Sequence, residues 1–425
     1  MKKNLISIFV ALSALVACNK DNAVSTLVQE EPNVSEVIPL EDAITNLNKT
    51  MNRIYGETKA QSSLYNIDIV GNHDLKLATK SESINIPDTL IYLVNFNDNR
   101  GFAILSANRQ LNEDIYCITE SGHISTDNLR QTLNEIELSY PSNITDDEDV
   151  RFIEMGPDFV THIIMETIIA DLSDDVLYSK IETKSTFNKS ETAYGPWLKT
   201  KWTQTGPFND LIDQTPKNEN GDSDWPCGCT TIAAAQIINY HRLPVHPQFN
   251  GVECHWDTLS TVYNYLKPTD AGSQLAQKQA ANFLYVIGSK DYCNTEYTES
   301  SAGAYVLDAK RAFKKVGFSN LNRRIGCTKN DLNRIIEHVQ KKKPIIMSGF
   351  TTKKEGNYGH TWVVDGVDGD YLHINWGWNG DCDGYFKKGS FVTKETQQDS
   401  EYDKDTYPNK DRNYSTTFRY VTYTI

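Results

Sequence analysis

Residues 225–241 read Trp-Pro-Cys-Gly-Cys-Thr-Thr-Ile-Ala-Ala-Ala-Gln-Ile-Ile-Asn-Tyr-His, a loop marked by Pro and Gly that leads into an apolar, alanine-rich run. The density of apolar residues from Thr230 to Tyr240 predicts a buried helix that ends before Pro244. Cys229 therefore stands at a helix start, where unpaired N–H groups and the helix dipole stabilise a thiolate. This position suits a nucleophile, but most buried cysteines are inert and only pack, so position alone does not favour catalysis.

A zinc site is a second interpretation of the same stretch, built from Cys227, Cys229 and His241. A Cys-x-Cys pair departs from the usual spacing of zinc ligands, however, and no second ligand pair follows it. We therefore expect neither a metal nor another cofactor at this site.

A second cluster lies at residues 359–378, where two aromatic and β-branched runs flank an Asp/Gly turn, which predicts a β-hairpin. A turn at residues 367–368 puts His360 opposite Asn375, whereas a turn at residues 368–369 makes the two diagonal neighbours. Either register leaves their Cβ atoms within about 5–8 Å. The Asn375 amide oxygen could then accept the imidazole N–H and fix the tautomer of a catalytic base.

His373 is the alternative base on this hairpin. It lies two residues from Asn375 on the same strand, too near to be oriented by that amide from across the pair. Trp376 follows Asn375 directly, so its ring could shield a hydrogen bond between His360 and Asn375 from water.

The chain begins with a targeting signal: two lysines precede an apolar run of about a dozen residues, 5–16, which is too short to span a bilayer and fits a signal peptide. Residues 15–18, Leu-Val-Ala-Cys, resemble a bacterial lipobox, in which Cys18 becomes lipid-modified; the alternative is a plain secretory signal. We expect an exported lipoprotein at the outer membrane, the cell surface or the periplasm, attached to the membrane only through Cys18, with release of the mature protein as a further expectation.

Composition narrows the classes of partner. The 425 residues carry a formal net charge of −14, which argues against a nucleic-acid partner, because nucleic-acid binding needs clustered Lys and Arg. Apart from Cys18 there are seven cysteines, an odd number, so at least one is a thiol or pairs with another molecule.

Residues 19–190 contain no evident catalytic cluster. Apolar residues recur at helical spacing over residues 44–54, and residues 89–107 alternate as a hairpin with its turn at residues 97–100. A third strand is predicted at residues 115–118. These elements predict a small α+β module.

A polar stretch without periodicity, residues 181–192, is typical of a linker that proteases cut, and Lys184 and Lys189 are candidate cleavage positions. We therefore expect a signal peptide over residues 1–18, a prodomain with tether and linker over residues 19–190, and a catalytic domain over residues 191–425.

The motifs resemble those of a known family. Residues 228–241 and 359–378 resemble the cysteine-bearing helix and the His and Asn-Trp segments of the streptopain family of bacterial cysteine proteases, which includes interpain-like enzymes. Residues 199–209 are similar to the mature N-terminal motif of that family, and residues 300–304 to a segment lining its substrate pocket. The likeness covers roughly residues 195–390, with the motifs in the family's order.

The resemblance implies an α+β, papain-like fold: a helical half carrying Cys229, an antiparallel β-sheet half carrying His360, and a small α+β prodomain in front. It implies that Cys229 is the nucleophile, that His360 is the general base and then acid, and that Asn375 orients His360.

Further roles follow from the resemblance alone. Gln204 and the Cys229 backbone N–H would form the oxyanion hole, and Trp376 would cover the His–Asn pair. Ser301 and Gly359 would contact the substrate. Cys227 departs from the family pattern, as does the stretch at residues 347–350, so subsite preference does not carry over.

Together these features predict a secreted cysteine endopeptidase made as a zymogen, with protein or peptide substrates and its own propeptide as partners. A papain-like peptidoglycan hydrolase is the nearest alternative, but it normally lacks the long prodomain and the Asn-Trp-Gly-Trp segment. An inactive adhesin or inhibitor on the same scaffold is the other, and intact Gln204, Cys229, His360 and Asn375 argue against it.

Overall fold

The computed structural model describes residues 36–56, 65–75, 86–135, 150–151, 156–172, 193–212, 225–262, 271–297, 302–325, 327–353, 356–391 and 418–425. The predicted signal peptide with Cys18, the predicted linker at residues 181–192 and Ser301 lie outside these ranges. No helix within them combines the length and the hydrophobicity that crossing a bilayer requires.

The N-terminal module, residues 36–172, is an α+β arrangement. Its elements are α1 (Leu40–Tyr55), β1 (Tyr65–Val70), α2 (Asn72–Leu75), β2 (Ile91–Phe96), β3 (Phe102–Ser106), β4 (Ile115–Thr119), α3 (Thr126–Glu135), β5 (Val150–Arg151) and α4 (Gly156–Leu172). The predicted amphipathic helix, hairpin and third strand are confirmed as α1, β2–β3 and β4.

The C-terminal region, residues 193–425, begins with helices and ends in a sheet. Its elements are α5 (Cys229–His241), β6 (Gln248–Phe249), β7 (Val252–Glu253), α6 (Trp256–Leu259), α7 (Ala271–Gly288), β8 (Glu296–Tyr297), β9 (Ala302–Gly303), α8 (Val306–Val316), β10 (Ser319–Ile325), α9 (Lys329–Gln340), β11 (Ile345–Lys353), β12 (Gly356–Asp368), β13 (Tyr371–Asn375), β14 (Gly384–Lys387) and β15 (Arg419–Thr424). The predicted helix after Cys229 is confirmed as α5.

One sheet joins the two parts, in the strand order β1-β2-β3-β4-β14-β13-β12-β11-β15-β10, with β5 pairing parallel to β12. The junction is the antiparallel pair β4–β14, in which Thr119 lies opposite Gly384 and Cys117 opposite Phe386. Backbone hydrogen bonds therefore build the strands of the N-terminal module into the sheet that carries the predicted histidine hairpin.

Two layers of helices cover this sheet. On one face, β11, β12 and β15 pack through Ile346, Val363 and Val421 against α5, α7 and α8. On the other face, side chains that include Trp362 and Val364 pack against α3, α4 and α9. Because successive side chains of a strand point to opposite faces, neighbouring residues of β12 contact different helical layers. This alternation positions the candidate site.

Candidate active site

Cys229 is the first residue of α5 and is nearly buried, with 5% of its surface exposed. Gly228 precedes it with φ +88°, and a Cβ at Gly228 would come within 3.1 Å of the Thr295 methyl group, so glycine suits this position. Burial raises the pKa of the Cys229 thiol, and hydrogen bonds with Thr361 and Thr230 oppose this only in part. The expected thiolate is therefore not favoured in this arrangement: burial outweighs the helix start.

Gln204 is held next to the nucleophile loop. The Cys227 backbone N–H donates to the Gln204 carbonyl at 2.9 Å, and the Gln204 side chain is 3% exposed. The loop before α5 and the segment predicted to supply the oxyanion donor are thus adjacent. None of the seven cysteines in the described part of the chain forms a disulfide, Cys227 included.

His360 lies in β12 with its ring fully buried among aromatic side chains. The Trp378 ring stacks on it at 4.5 Å between centroids, and Phe159 of α4 meets it edge-on at 5.4 Å. Its Nε2–H donates to the Trp376 carbonyl at 2.8 Å, which fixes the Nε2–H tautomer of the neutral ring. Nδ1, the nitrogen with the lone pair, has no hydrogen-bond partner within the described ranges.

Burial lowers the pKa of the His360 imidazole to about 4, although the hydrogen bond with Trp376 acts in the opposite direction. The ring is therefore neutral above that pH. A neutral imidazole with an unpartnered Nδ1 has a lone pair available to accept a proton as a general base.

Cys229 and His360 lie on opposite faces of β12. Thr361, next to His360, faces α5: its hydroxyl lies 2.9 Å from the Thr230 hydroxyl, and Thr361 hydrogen-bonds with the Cys229 thiol. His360 points to the other face, toward Phe159. Cys229 of α5 and His360 of β12 therefore lie at the same segment of β12, but their side chains are on opposite faces of it and do not meet.

The predicted register of the histidine hairpin is wrong. The turn is Gly369-Asp370, because Asp368 pairs with Tyr371, and a bulge follows between residues 364 and 366. Gly369 has φ +56°, a conformation that glycine adopts easily.

As a result Asn375 lies opposite Val363, and the expected contact between Asn375 and His360 is absent. The Asn375 amide instead bonds inside the sheet–helix interface. Its Oδ1 accepts from Gln236 Nε2 at 2.9 Å and from Gly377 N–H at 3.2 Å, and its Nδ2 donates to the Thr200 carbonyl at 3.0 Å.

Trp376 contributes its backbone to the site. Its carbonyl accepts the His360 N–H, and its own N–H donates to the Asp383 carboxylate at 2.8 Å. Its ring stacks on Trp378 at 5.4 Å between centroids. The predicted cover over a His–Asn bond is replaced by an aromatic cluster around His360.

His373, the alternative base, is an ion-pair member. Its Nδ1 donates to Asp365 Oδ1 at 2.6 Å, and Glu120 of the N-terminal module lies 3.7 Å from its Nε2. Burial lowers the pKa of His373, but the Asp365 and Glu120 carboxylates together outweigh burial and raise the pKa to about 10. An imidazole with a pKa of about 10 is already protonated at neutral pH, so His373 is not suited to act as a general base there.

Of the two predicted substrate contacts, Ser301 lies outside the described residues, and Gly359 is buried in β12 opposite Phe350. Sequence reasoning missed Gln236 and Phe159. Gln236 follows Cys229 by seven residues, two helical turns, and that spacing could have placed it on the same face of α5. No local signal in α4 pointed to Phe159.

Known proteins resemble this chain in sequence. Residues 202–386 match the profile of the Peptidase C10 family. Two streptopains of Streptococcus pyogenes strains are 28% identical over 215 residues, which is 44% of this chain and 52% of each relative. The resemblance to the streptopain family is confirmed. The chain spans about half the length of these curated relatives.

A solved structure of a Prevotella intermedia prointerpain A fragment is also similar to this streptopain-like chain. It covers 84% of this chain and 98% of its own length, at 18% identity and a TM-score of 0.52. This likeness shows the fold alone, and the predicted papain-like α+β architecture with a preceding α+β module is confirmed.

Proposed function

We propose that the chain is an exported cysteine endopeptidase made as a latent precursor, with Cys229 as nucleophile and His360 as base. One observation carries the proposal. Thr361 touches the Cys229 thiol while its neighbour His360 presents an unpartnered Nδ1 on the other face of β12. A rearrangement confined to this part of the strand would bring a base nitrogen to the thiol.

The proposed reaction is acyl transfer. His360 Nδ1 takes the thiol proton, the Cys229 sulfur attacks the peptide carbonyl carbon, and the imidazolium returns the proton to the leaving amine. Water then hydrolyses the thioester. The Gln204 side chain and the Cys229 N–H stabilise the oxyanion, an effect of about 3 kcal/mol per donor. Ser301 and Gly359 contact the substrate in this proposal.

Latency in this proposal comes from the N-terminal module. Phe159 packs on the His360 ring, and β4 is hydrogen-bonded to β14 of the same sheet. Removal of residues 19–190 takes away Phe159, after which His360 is free to turn toward Cys229. The match to the Peptidase C10 family and to a structure named as a proenzyme supports this proposal.

Casein and cell-wall sacculi separate the proposed function from its nearest rival. The full-length precursor and its processed form are assayed on both substrates, with Cys229→Ala as the matched inactive control. We expect casein hydrolysis by the processed form only. Cleavage of sacculi with no cleavage of casein would indicate a peptidoglycan hydrolase, and no cleavage of either would favour an adhesin or inhibitor.

Processing is expected in the linker at residues 181–192, after Lys184 or Lys189, leaving a catalytic domain that begins near residue 191. Mass spectrometry of the wild-type and Cys229→Ala precursors, each incubated alone, gives the cut site. We expect the wild type to cut itself there and the variant to stay intact. A precursor as active as the processed form would refute the inhibitory role of residues 19–190.

Export as a lipoprotein is part of the proposal and rests on the lipobox-like residues 15–18. Metabolic labelling with a radioactive fatty acid tests it. We expect label in the wild-type chain and none in Cys18→Ala, which should still be exported if the signal peptide alone directs secretion.

A further inference from the structure

A closed network of buried amides connects the nucleophile helix to the histidine hairpin. Gln236 of α5 donates through Nε2 to Asn375 Oδ1 at 2.9 Å and accepts through Oε1 from the Thr200 hydroxyl at 2.7 Å. Asn375 Nδ2 returns to the Thr200 carbonyl at 3.0 Å. Gln236 is fully buried and Asn375 is 4% exposed.

The network fixes the orientation of each amide. A reversed Gln236 amide would put its Oε1 against Asn375 Oδ1, oxygen against oxygen. A reversed Asn375 amide would likewise put its N–H groups against those of Gln236 and Gly377. With Gln236 in place, Asn375 Oδ1 therefore faces the Gly377 N–H, to which it is hydrogen-bonded at 3.2 Å.

The Gly377 N–H and the Trp376 carbonyl belong to one peptide group, the one that joins these two residues. The Trp376 carbonyl accepts the Nε2–H of His360. Because the peptide group is planar, a hydrogen bond that fixes its N–H also fixes the direction of its carbonyl. Gln236 thus connects, through Asn375, to the acceptor that sets the tautomer of His360.

We propose that Gln236 is a positioning residue for His360, acting through Asn375 on the Trp376–Gly377 peptide. The inference deepens the proposed peptidase function and rests on it. Gln236 touches no reacting atom. Its amide keeps the Trp376 carbonyl directed at Nε2, and in this proposal His360 retains that bond when it turns toward Cys229, so that Nδ1 keeps the lone pair that takes the thiol proton.

The competing explanation is that Gln236 only packs α5 onto the sheet. Asn239 provides a matched control, because it is a buried amide one helical turn further along α5. Its Nδ2 donates to the Ser260 hydroxyl at 3.0 Å, away from β13. Gln236→Leu and Asn239→Leu each remove one buried amide from the same helix.

The kinetic test compares these variants after trace amounts of tagged wild-type enzyme have processed each full-length precursor and been removed. We expect Gln236→Leu to lower kcat about tenfold and to leave KM within twofold of wild type. A loss of this size in kcat is what one lost hydrogen bond would cause. Asn239→Leu should leave both constants within twofold of wild type. Gln236→Glu keeps the acceptor for Thr200 and loses the donor to Asn375, so it should match Gln236→Leu.

Coupling to Asn375 is the second part of the test. If both residues act through one peptide group, Gln236→Leu combined with Asn375→Ala should cost no more in kcat than Asn375→Ala alone. Multiplied losses in the double variant would overturn the shared route.

The third readout does not need peptide hydrolysis. Two-bond ¹H–¹⁵N spectra of the full-length precursor labelled with [¹⁵N]histidine, assigned with His360→Gln, report the tautomer of His360. Wild type and Asn239→Leu should show the Nε2–H form, whereas Gln236→Leu should show a mixture. If Gln236→Leu keeps the wild-type tautomer or the wild-type kcat, the inference is wrong. If processed wild type cuts no casein, the proposed function fails and the tautomer comparison still decides the positioning role.

Discussion

The two faces of β12 differ in what they offer the reaction. The face toward α5 presents Thr361 beside a buried thiol, and the other face presents His360 beside Phe159 of the N-terminal module. His360 and Thr361 are adjacent in β12, so the proposed base and the thiol of the proposed nucleophile lie on opposite faces of that strand. In the proposed latent precursor, side-chain alternation along a single strand keeps the proposed base and the proposed nucleophile apart.

The protonation states of the two groups differ from those of a thiolate–imidazolium pair. Burial raises the pKa of the Cys229 thiol and lowers that of His360 to about 4, so each residue is neutral. Formation of a thiolate–imidazolium pair would bring opposite charges together and reverse both shifts.

The largest expected effect comes from removing the proposed nucleophile on the α5 face. Cys229→Ala should lower kcat by about 10⁴-fold or more, because the residual rate comes only from binding and the oxyanion hole. Casein hydrolysis by the processed chain measures it, and circular dichroism checks that the precursor stays folded. Cys227→Ser is the matched control. Loss of activity in the control with retention in Cys229→Ala would reverse the assignment.

Phe159→Ala removes the ring that packs on His360 at the other face of β12. The lost ring should lower the precursor's free energy of unfolding by about 3–5 kcal/mol, the range for a buried Phe, and should free His360, so that processing is faster. Phe391→Ala is the control, because Phe391 is fully buried against Trp362 and makes no ring contact with His360 among those described. Urea unfolding and a time course of processing compare the two. Equal processing rates would contradict the role of Phe159.

His373→Gln tests the ion pair that flanks the bulge in β12. Because the pKa of His373 is about 10 in the fold and about 6.5 in an unfolded chain, its stabilisation is complete below pH 6.5 and disappears as the pH approaches 10. We expect the variant to be about 3 kcal/mol less stable than wild type at pH 6, with the difference shrinking toward pH 10. Urea unfolding across this range measures it. A difference independent of pH would contradict the charged pair.

Acid should destabilise the precursor through His360. Its pKa of about 4 in the fold lies below the unfolded value of about 6.5, so the unfolded chain binds a proton first as the pH falls through this window. The free energy of unfolding should drop by about 2 kcal/mol more in wild type than in His360→Gln between pH 6.5 and 5. Parallel losses in both proteins would show that His360 is not buried as a neutral ring.

Asn375→Ala has the smallest expected effect on the reaction. We expect kcat to fall about tenfold, because Asn375 acts on His360 only through the Trp376–Gly377 peptide. Steady-state kinetics of the processed chain measure it. A loss comparable to that of Cys229→Ala would indicate instead that Asn375 contacts His360 directly in the active form.

Local patterns predicted the elements and missed their register. The helix after Cys229 and the hairpin at residues 91–106 follow from composition and alternation that act over a few residues. The turn and the bulge of the histidine hairpin depend on the buried pair of Asp365 and His373 and on Gly369, and a bulge shifts which residues face each other. Single-strand alternation gives no signal for such a contact.

Long-range features were beyond sequence patterns for the same reason. The pairing of β4 with β14 joins residues more than 250 positions apart, and the contact of Phe159 with His360 joins two separate modules. The family resemblance supplied the roles of the site residues, and the structure supplied the separation of Cys229 from His360.

Site-resolved alkylation compares the reactivity of the Cys229 thiol before and after processing. The full-length precursor and its processed form are treated with iodoacetamide at pH 7, and the modified cysteine is located and quantified by mass spectrometry. We expect slow labelling of Cys229 in the precursor and labelling at least about tenfold faster after processing, because only then does His360 reach the thiol. Equal rates in the two forms, or preferential labelling of Cys227, would contradict it.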